Sequence, residues 1–304
     1  MKLAWILATS CVIGCSTHDA QADPPVEPAA QSTEPASVDA PRRIIAVGDL
    51  HGDMQQTLTV FRLAGLINDD GHWSAGDTVF VQTGDQTDRG PDSKGIIELL
   101  VRLETEAEAA GGRVVALIGN HEVMNVQGDW RYVTEEDVAT YGGMEARVQA
   151  FSPDGASGVF VRSHDAVARV GDTVFVHGGI SPEWAAQGVD GINAAVRRDM
   201  EVSGGEAIGS QSVLWYRGYA TDPEDTACPR LQTALDSLAV KRMVVGHTVQ
   251  AGGGIVTRCG GKVVLIDVGI AKHYGGGHVA AWEWVDGDSR ALTLAGTVDL
   301  PDPE

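Results

Sequence analysis

Three features of this 304-residue sequence predict an α/β fold in which two mixed β-sheets pack face to face with flanking helices outside. The first half alternates apolar runs of strand length with helical periodicity, as βαβ units do, and the second half is rich in strand-like runs. Five of the runs lead into loops that combine glycine with Asp, Asn or His: GDLHG, GDQTDRG, GNHE, HGG and GHT. Loops at the carboxyl ends of strands are where α/β folds place their chemistry. With 43% hydrophobic residues the chain can bury a full core, and residues 42–299 are read as one large domain.

The elements follow in order. In RRIIAVGDLHGD the run Ile44 to Val47 is a buried strand that delivers Asp49 and His51 to a loop. Leu58, Phe61 and Leu66 then keep helical spacing. DTVFVQTGD repeats the strand and ends at Asp85; Ile96, Leu99, Leu100 and Leu103 mark an amphipathic helix that stops at Gly111-Gly112. RVVALIGNHE is a third strand, ending at Asn120-His121. Residues 122–160, polar and Gly-rich, read as a helical or loop insertion near the site, with Thr134 and Asp137 as an N-terminal cap. VARVGDTVFVHGGI is a hairpin around Gly171-Asp172, KRMVVGHT a strand ending in Gly246-His247, and KVVLIDVGI and HVAAWEW supply further strands.

Ahead of the domain, Met1-Lys2 and the apolar stretch LAWILATSCVIG form a targeting signal too short to span a bilayer as an ordinary helix. Two processing sites compete. VIGC has the residues of a bacterial lipobox, which would make residues 1–15 a lipoprotein signal and Cys15 a diacylated first residue; AQA at 20–22 is an A-x-A cleavage site. The lipobox is preferred, and Ser16 resembles the signal that sends lipoproteins on to the outer membrane; either route exports the chain to the periplasmic side of a cell envelope. Residues 16–41 are almost devoid of large apolar side chains and read as a disordered tether. It would reach roughly 80 Å when extended. With Cys11 and Cys15 in the signal, Cys228 and Cys259 remain. In an oxidising compartment that pair suggests a disulfide, worth about 3–4 kcal/mol from loop closure, with two separate buried thiols as the alternative.

The chain carries 42 acidic and 22 basic residues, a net charge of -20. That field repels nucleic acid and anionic membrane surfaces, so no nucleic-acid partner is expected and the membrane is reached only through the lipid anchor. A phosphate-bearing substrate would be repelled too, unless local cations reverse the field. The five loops offer such a centre. Asp49, His51, Asp85, Asn120, His177 and His247 are oxygen and imidazole donors of the kind that bind divalent Mn, Fe or Zn. Six ligands are too many for one catalytic metal with open positions and fit two metals that share a carboxylate. A lone Gly-Asp or Gly-His is an ordinary turn; five such loops at strand ends are not.

The pattern GDxHG, GDxxDRG, GNHE, HGG and GH at Gly48–Gly52, Gly84–Gly90, Gly119–Glu122, His177–Gly179 and Gly246–His247 resembles the calcineurin-like metallophosphoesterases, and within them the phosphoprotein phosphatases. GDQTDRG, LWYRGY and IDVGIAKHYGG are most similar to the Shewanella-like, or bacterial-like, branch, and the resemblance covers residues 43 to 275. It implies an α-β-β-α sandwich with one metal held by Asp49, His51 and Asp85, and a second by Asp85, Asn120, His177 and His247. Asp85 would bridge them, and a hydroxide between the metals would attack phosphorus in line. The dication pair less two aspartates leaves a centre of about +2, enough to hold a phosphate dianion locally.

The same resemblance assigns roles to the rest of GDQTDRG. Asp88 accepts a hydrogen bond from His121 and keeps it protonated, His121 is the general acid for the leaving oxygen, and Arg89 offers its donor fork to phosphate oxygens. Arg217 in WYRG is the candidate for a second phosphate clamp, with Arg197 and Arg198 in the same interval as alternatives, and Tyr274 lines the mouth of the site or is simply packed there. His72, His164, His273 and His278 match no motif and read as surface or packing residues. The function expected is hydrolysis of a phosphomonoester, on a phosphorylated protein or a small phosphomonoester, by a monomer. Phosphotyrosine against phosphoserine or phosphothreonine stays open. The nearest rival is a symmetrical diadenosine tetraphosphatase, whose third loop resembles HAG where this chain has HGG; a non-catalytic metal-binding envelope protein is the other. A cysteine nucleophile is excluded, because neither Cys228 nor Cys259 precedes a phosphate loop ending in arginine.

Overall fold

The structure, a computed structural model, describes residues 41–275 and 277–303. The expected signal at 1–15, its Cys15, and the tether up to residue 40 lie outside the described residues. The chain opens with β1 (Arg43–Val47), α1 (Met54–Leu63), β2 (Val79–Gln82), α2 (Ser93–Ala109) and β3 (Arg113–Ala116). The short helices α3 (Asn120–Val126), α4 (Glu135–Tyr141), α5 (Met144–Ala150) and α6 (Ala156–Ser163) follow. Then come β4 (Val167–Val170), β5 (Thr173–Val176), α7 (Pro182–Ala185), α8 (Gly188–Asp199), α9 (Gly218–Thr221), α10 (Glu224–Leu238) and β6 (Arg242–Val245). The strands β7 (Val256–Arg258), β8 (Val263–Leu265), β9 (Ala280–Val285), β10 (Asp288–Thr293) and β11 (Gly296–Leu300) complete it.

These strands make two mixed sheets, as the sequence predicts. One has six strands in the order β11-β10-β9-β1-β2-β3, and the other five in the order β4-β5-β6-β8-β7. Strands β1, β2 and β3 run parallel, as do β5, β6 and β8; β9, β10 and β11 add antiparallel on the β1 side, and β4 and β7 are the antiparallel edges of the second sheet. Alternation along RIIAV explains why β1 is apolar from Ile44 to Val47: Ile44 and Ala46 face a core between the sheets, and Ile45 and Val47 face the helices. The inter-sheet core is closed by Phe175 against Trp282, ring centroids 5.9 Å apart. Trp282 is fully buried, so Trp282→Ala is expected to cost about 3–5 kcal/mol.

Helix α2 buries Ile96, Leu99, Leu100, Leu103 and Ala107, a stripe at three- and four-residue spacing, against this framework. Its first turn is capped by Asp92, which accepts from the Gly95 amide at 2.9 Å, and Asp53 caps α1 from the Gln56 amide at 3.1 Å. Thr134 caps α4 by accepting from the Asp137 amide at 3.1 Å. Two expectations are corrected. Leu66 is buried but lies beyond α1, which ends at Leu63 before Gly65 turns left-handed at φ 67. KVVLIDVGI is strand only over Val263–Leu265; Ile266–Ala271 is loop that brings Asp267 under the site. No helix among the described residues is long and apolar enough to cross a membrane.

Candidate metal centre and active site

All five motif loops leave the carboxyl ends of parallel strands: Asp49 and His51 after β1, the 84–90 loop after β2, Asn120 and His121 after β3, His177 after β5 and His247 after β6. Two sheets with those ends on one side bring distant residues to one point. The loops turn sharply to do so. Five of the eight non-glycine residues with positive φ among the described residues are His51, Asp85, Asp88, Arg89 and His247, which is backbone strain concentrated at the site. The motif glycines have a steric reason: a Cβ on Gly119 would strike Asp85 Oδ1, and one on Gly246 would strike Asp49 Oδ1.

Hydrogen bonds to backbone fix the ring orientations. His177 Nδ1 donates to the Thr83 carbonyl at 2.9 Å and His51 Nδ1 to the Thr87 carbonyl at 3.1 Å. A ring that donates from Nδ1 turns the lone pair of Nε2 inward. Yet His177 Nε2 lies 3.0 Å from Asn120 Oδ1, 3.0 Å from His247 Nδ1 and 3.2 Å from Asp85 Oδ2. Acceptors converge there on acceptors. Only a proton or a metal cation reconciles them, and a proton serves one pair at a time. His247 turns its Nδ1 into this group, while its Nε2 is buried with no hydrogen-bond partner among the described residues. The residues therefore fit divalent metal, with Asp85, His177 and His247 mutually within reach on one side, and on the other His51 Nε2 3.9 Å from Asp49 Oδ2 and 3.7 Å from Asp85 Oδ2.

Charge agrees with geometry. Burial lifts the Asp49 carboxyl well above the usual range, and the nearby Asp267 carboxylate adds to it. Burial also pushes Asp267 up to about 6. Burial disfavours the His177 imidazolium, but Asp85 and Asp49 outweigh that and push it up to about 9 in the protein chain by itself. The His51 and His247 rings are instead pushed down by burial, to about 3 and about 2. A buried group of carboxylates lifting one another is stabilised by cations.

Beside this centre, His121 Nδ1 donates to Asp88 Oδ2 at 2.7 Å, and its Nε2 points to the cavity, 3.9 Å from Asp85 Oδ2. Burial works against the His121 imidazolium, yet Asp85 and Asp88 together raise it above its ordinary value. Glu122 ties the loops together, accepting from the amides of Gly119 and Asp85, each at 2.8 Å, and of Thr87 at 3.0 Å. Arg217 Nη1 donates to the His247 carbonyl at 2.7 Å and to Thr248 Oγ1 at 3.0 Å. Tyr274 Oη sits 3.0 Å from His51 Nε2. The cavity, about 130 Å³, is lined by Asp49, His51, Asp85, Arg89, Asn120, His121, Tyr132, Trp215, Arg217, His247 and Tyr274. A larger hollow of about 1100 Å³ beside α2 and β3 brings together none of the motif residues.

Every site residue expected from the sequence, apart from Cys15 and the cysteine pair, is thus gathered here, with His177 and Asp88 fully buried next to residues that line the cavity. Cys228 and Cys259 are joined as a disulfide between α10 and the end of β7, with Cα atoms 5.4 Å apart. Four residues escaped the sequence reading. Tyr132 lies under Arg89, whose guanidinium carbon is 4.0 Å from the ring centroid. Trp215 walls the cavity next to His247. Asn125 and Arg147 hold the far side of Asp88, at 2.9 and 3.4 Å. Trp215 sits within LWYRGY, where a signal existed; Tyr132 and Arg147 lie in the insertion, where no motif marks them. His164 packs onto Glu104 at 2.6 Å and His72 onto Glu106 at 2.8 Å, while exposed His273 comes within 3.4 Å of Arg89.

Comparison with known proteins agrees with this geometry. The family of calcineurin-like phosphoesterases matches residues 42–251. Shewanella-like protein phosphatase 2 of Arabidopsis thaliana is 35% identical over 283 residues, covering 76% of this chain and 72% of its own. Shewanella-like protein phosphatase 1 of Plasmodium berghei is 28% identical over 75% of this chain and 67% of its own. A solved cold-active protein tyrosine phosphatase of a psychrophilic Shewanella sp. superposes with TM-score 0.75 at 27% identity, covering 85% of this chain and 80% of that one. A family match over residues 42–251, the span that holds all five loops, together with a relative 35% identical over 76% of this chain, has one reading: this chain belongs to the calcineurin-like phosphoesterase family.

Proposed function

We propose that the chain hydrolyses phosphomonoesters on phosphorylated protein side chains with two divalent ions, of Mn, Fe or Zn, in the centre described. The observation that carries the reading is the convergence of Asp85, Asn120, His177 and His247 acceptors at 3.0–3.2 Å beside a buried His121–Asp88 pair. Ions held by Asp49, His51 and Asp85, and by Asp85, Asn120, His177 and His247, would supply Lewis-acid charge and acidify water. The chain's own residues do the rest. Arg89 and Arg217 face the cavity as donors for phosphate oxygens, and Tyr132 holds Arg89 flat. His121, with Nδ1 anchored on Asp88, presents Nε2 to the departing oxygen and gives it a proton.

Support for a protein substrate comes from the names of the relatives, two of which are protein phosphatases. Three aromatic side chains around the cavity, Tyr132, Trp215 and Tyr274, favour a phosphotyrosine ring among the possible esters. The test is a set of steady-state rates for the metal-loaded protein on phosphotyrosine, phosphoserine and phosphothreonine peptides and on a diadenosine polyphosphate. Peptide hydrolysis at a kcat/KM above about 10⁴ M⁻¹s⁻¹, with the dinucleotide far slower, is expected. The reverse order would move the assignment to a dinucleotide hydrolase.

The envelope location, the lipid anchor and the monomeric state are proposed on residues 1–41 and the charge alone. Cys15→Ser should release a membrane-bound protein or leave it unprocessed. A wild-type protein found wholly soluble, beginning at Asp23, would refute the anchor.

A further inference from the structure

We propose that Arg147 is a positioning residue for proton donation, reaching from the 122–160 insertion to hold Asp88 against His121. The side chain is fully buried on α5. Its Nε donates to Asp137 Oδ2 at 2.8 Å, Nη1 to Asn125 Oδ1 at 2.6 Å, and Nη2 to Asp88 Oδ1 at 3.4 Å. The guanidinium carbon lies 4.8 Å from the Phe151 ring, 5.3 Å from Trp130 and 5.4 Å from Tyr141.

A nest of three aromatic rings would be filled more cheaply by an apolar side chain, since an ion taken out of water is stable only with its partners in place. The fork therefore has to be explained by what it orients. Because Nη1 occupies Asn125 Oδ1, the Asn125 amide nitrogen must face the other way, where it donates to Asp88 Oδ1 at 2.9 Å and the His121 carbonyl at 2.8 Å. Asp88 Oδ1 is thus held by two donors from one side. Oδ2 is left for His121 Nδ1 alone. A second route closes the circle: Asp137 Oδ1 accepts from the Ser93 amide at 2.6 Å, and Ser93 Oγ accepts from the Asp88 amide at 3.0 Å. One guanidinium fixes the carboxylate rotamer, the amide orientation and, through them, the direction in which His121 Nε2 points. The insertion is by this route part of the machinery for leaving-group protonation, whatever else its outer face does.

The inference rests on reading His121 as the proton donor, and the test separates the two. Loss of proton donation is felt most by an alkyl leaving group and least by p-nitrophenolate, so substrates of different leaving group report it. Arg147→Met and Arg147→Lys are compared with His121→Asn and Asp88→Asn in single turnovers at saturating metal, on a phosphoserine peptide and on p-nitrophenyl phosphate. Both Arg147 variants should slow the peptide by about 10-fold or more and p-nitrophenyl phosphate by less than about 3-fold, with KM and bound metal unchanged. Added to Asp88→Asn, Arg147→Met should deepen that selectivity by less than about 2-fold, since the two act in one chain of contacts. If Arg147→Met does not fold, Arg147→Lys decides, because an ammonium keeps the charge but cannot span all three partners. Folded Arg147 variants that lose both substrates equally, or lose nothing, while His121→Asn is selective, overturn the role of Arg147 alone. An unselective His121→Asn removes the proton-donor reading and this one with it.

Discussion

Asp85 and His177 show how single residues carry the site. Asp85 Oδ1 accepts from the His121 amide at 3.0 Å, and Oδ2 faces His177, His51 and His121 at 3.2, 3.7 and 3.9 Å. One carboxylate therefore lies within reach of both halves of the centre. A flanking glycine and a presenting strand are local features and marked Asp85 as a candidate ligand in the sequence; its bridging role was implied by the family resemblance. Arg147 and Tyr132 could not be named, because only tertiary packing brings them to Asp88 and Arg89. His177 sets a pH dependence. With its imidazolium lifted to about 9, the ring holds a proton below that pH that a metal must displace. His51 and His247, pushed down to about 3 and about 2, are already neutral and add nothing in the neutral range. Metal affinity should therefore rise with pH from 6 toward 9, by about 10-fold per unit for the His177 proton and more steeply wherever the lifted Asp49 carboxyl also holds one, and then level off. Calorimetric titrations in buffers of different ionisation heat check it. Affinity independent of pH, with no proton released, would contradict the assignment of His177.

At the scale of elements, long periodic segments were legible and short ones were not. Helix α2 buries a stripe of five large or medium side chains over 17 residues, enough to stand out of any window. From the GNHE motif through the insertion run α3, α4, α5 and α6, of seven, seven, seven and eight residues, too short to be stable alone, so their periodicity is weak and within the insertion only the Thr134 cap announced a helix. Strand β8 stops at Leu265 because the chain must leave the sheet to place Asp267, a tertiary demand that an apolar run cannot signal. The joint between α6 and α2 yields a prediction of its own. His164, at the end of α6, binds Glu104 at 2.6 Å on α2. Burial opposes the His164 imidazolium, but Glu104 and the Phe160 carbonyl outweigh it, and the ring is raised above its ordinary value. A raised histidine stabilises the fold fully below its unfolded pKa, about 6.5, and loses that contribution as pH climbs through the folded value. His164→Gln should therefore cost about 0.5–1 kcal/mol at pH 5.5 and less at pH 9, measured by urea unfolding. A cost that grows with pH would show the pair to be misread.

For the whole molecule, the sandwich was legible because both halves of the sequence carry its signature. The parallel β1, β2 and β3 are apolar on both faces, and the later strands pair back onto them through β9 at Trp282 and Trp284. What no local pattern could supply is the meeting of the sheets' carboxyl ends, which turns five ordinary loops into one centre inside a chain of net charge -20. The most direct test strips the protein with a chelator and titrates it with Mn or Zn while phosphopeptide hydrolysis and bound metal are followed together. Hydrolysis should be absent without metal and reach its plateau at about two ions per chain; Asp85→Asn should lose occupancy and rate together, by about 100-fold or more, since even outer partners of a ligand cost 10–100-fold. Hydrolysis that survives complete chelation, or an Asp85→Asn variant with two ions bound and near-normal turnover, would contradict it.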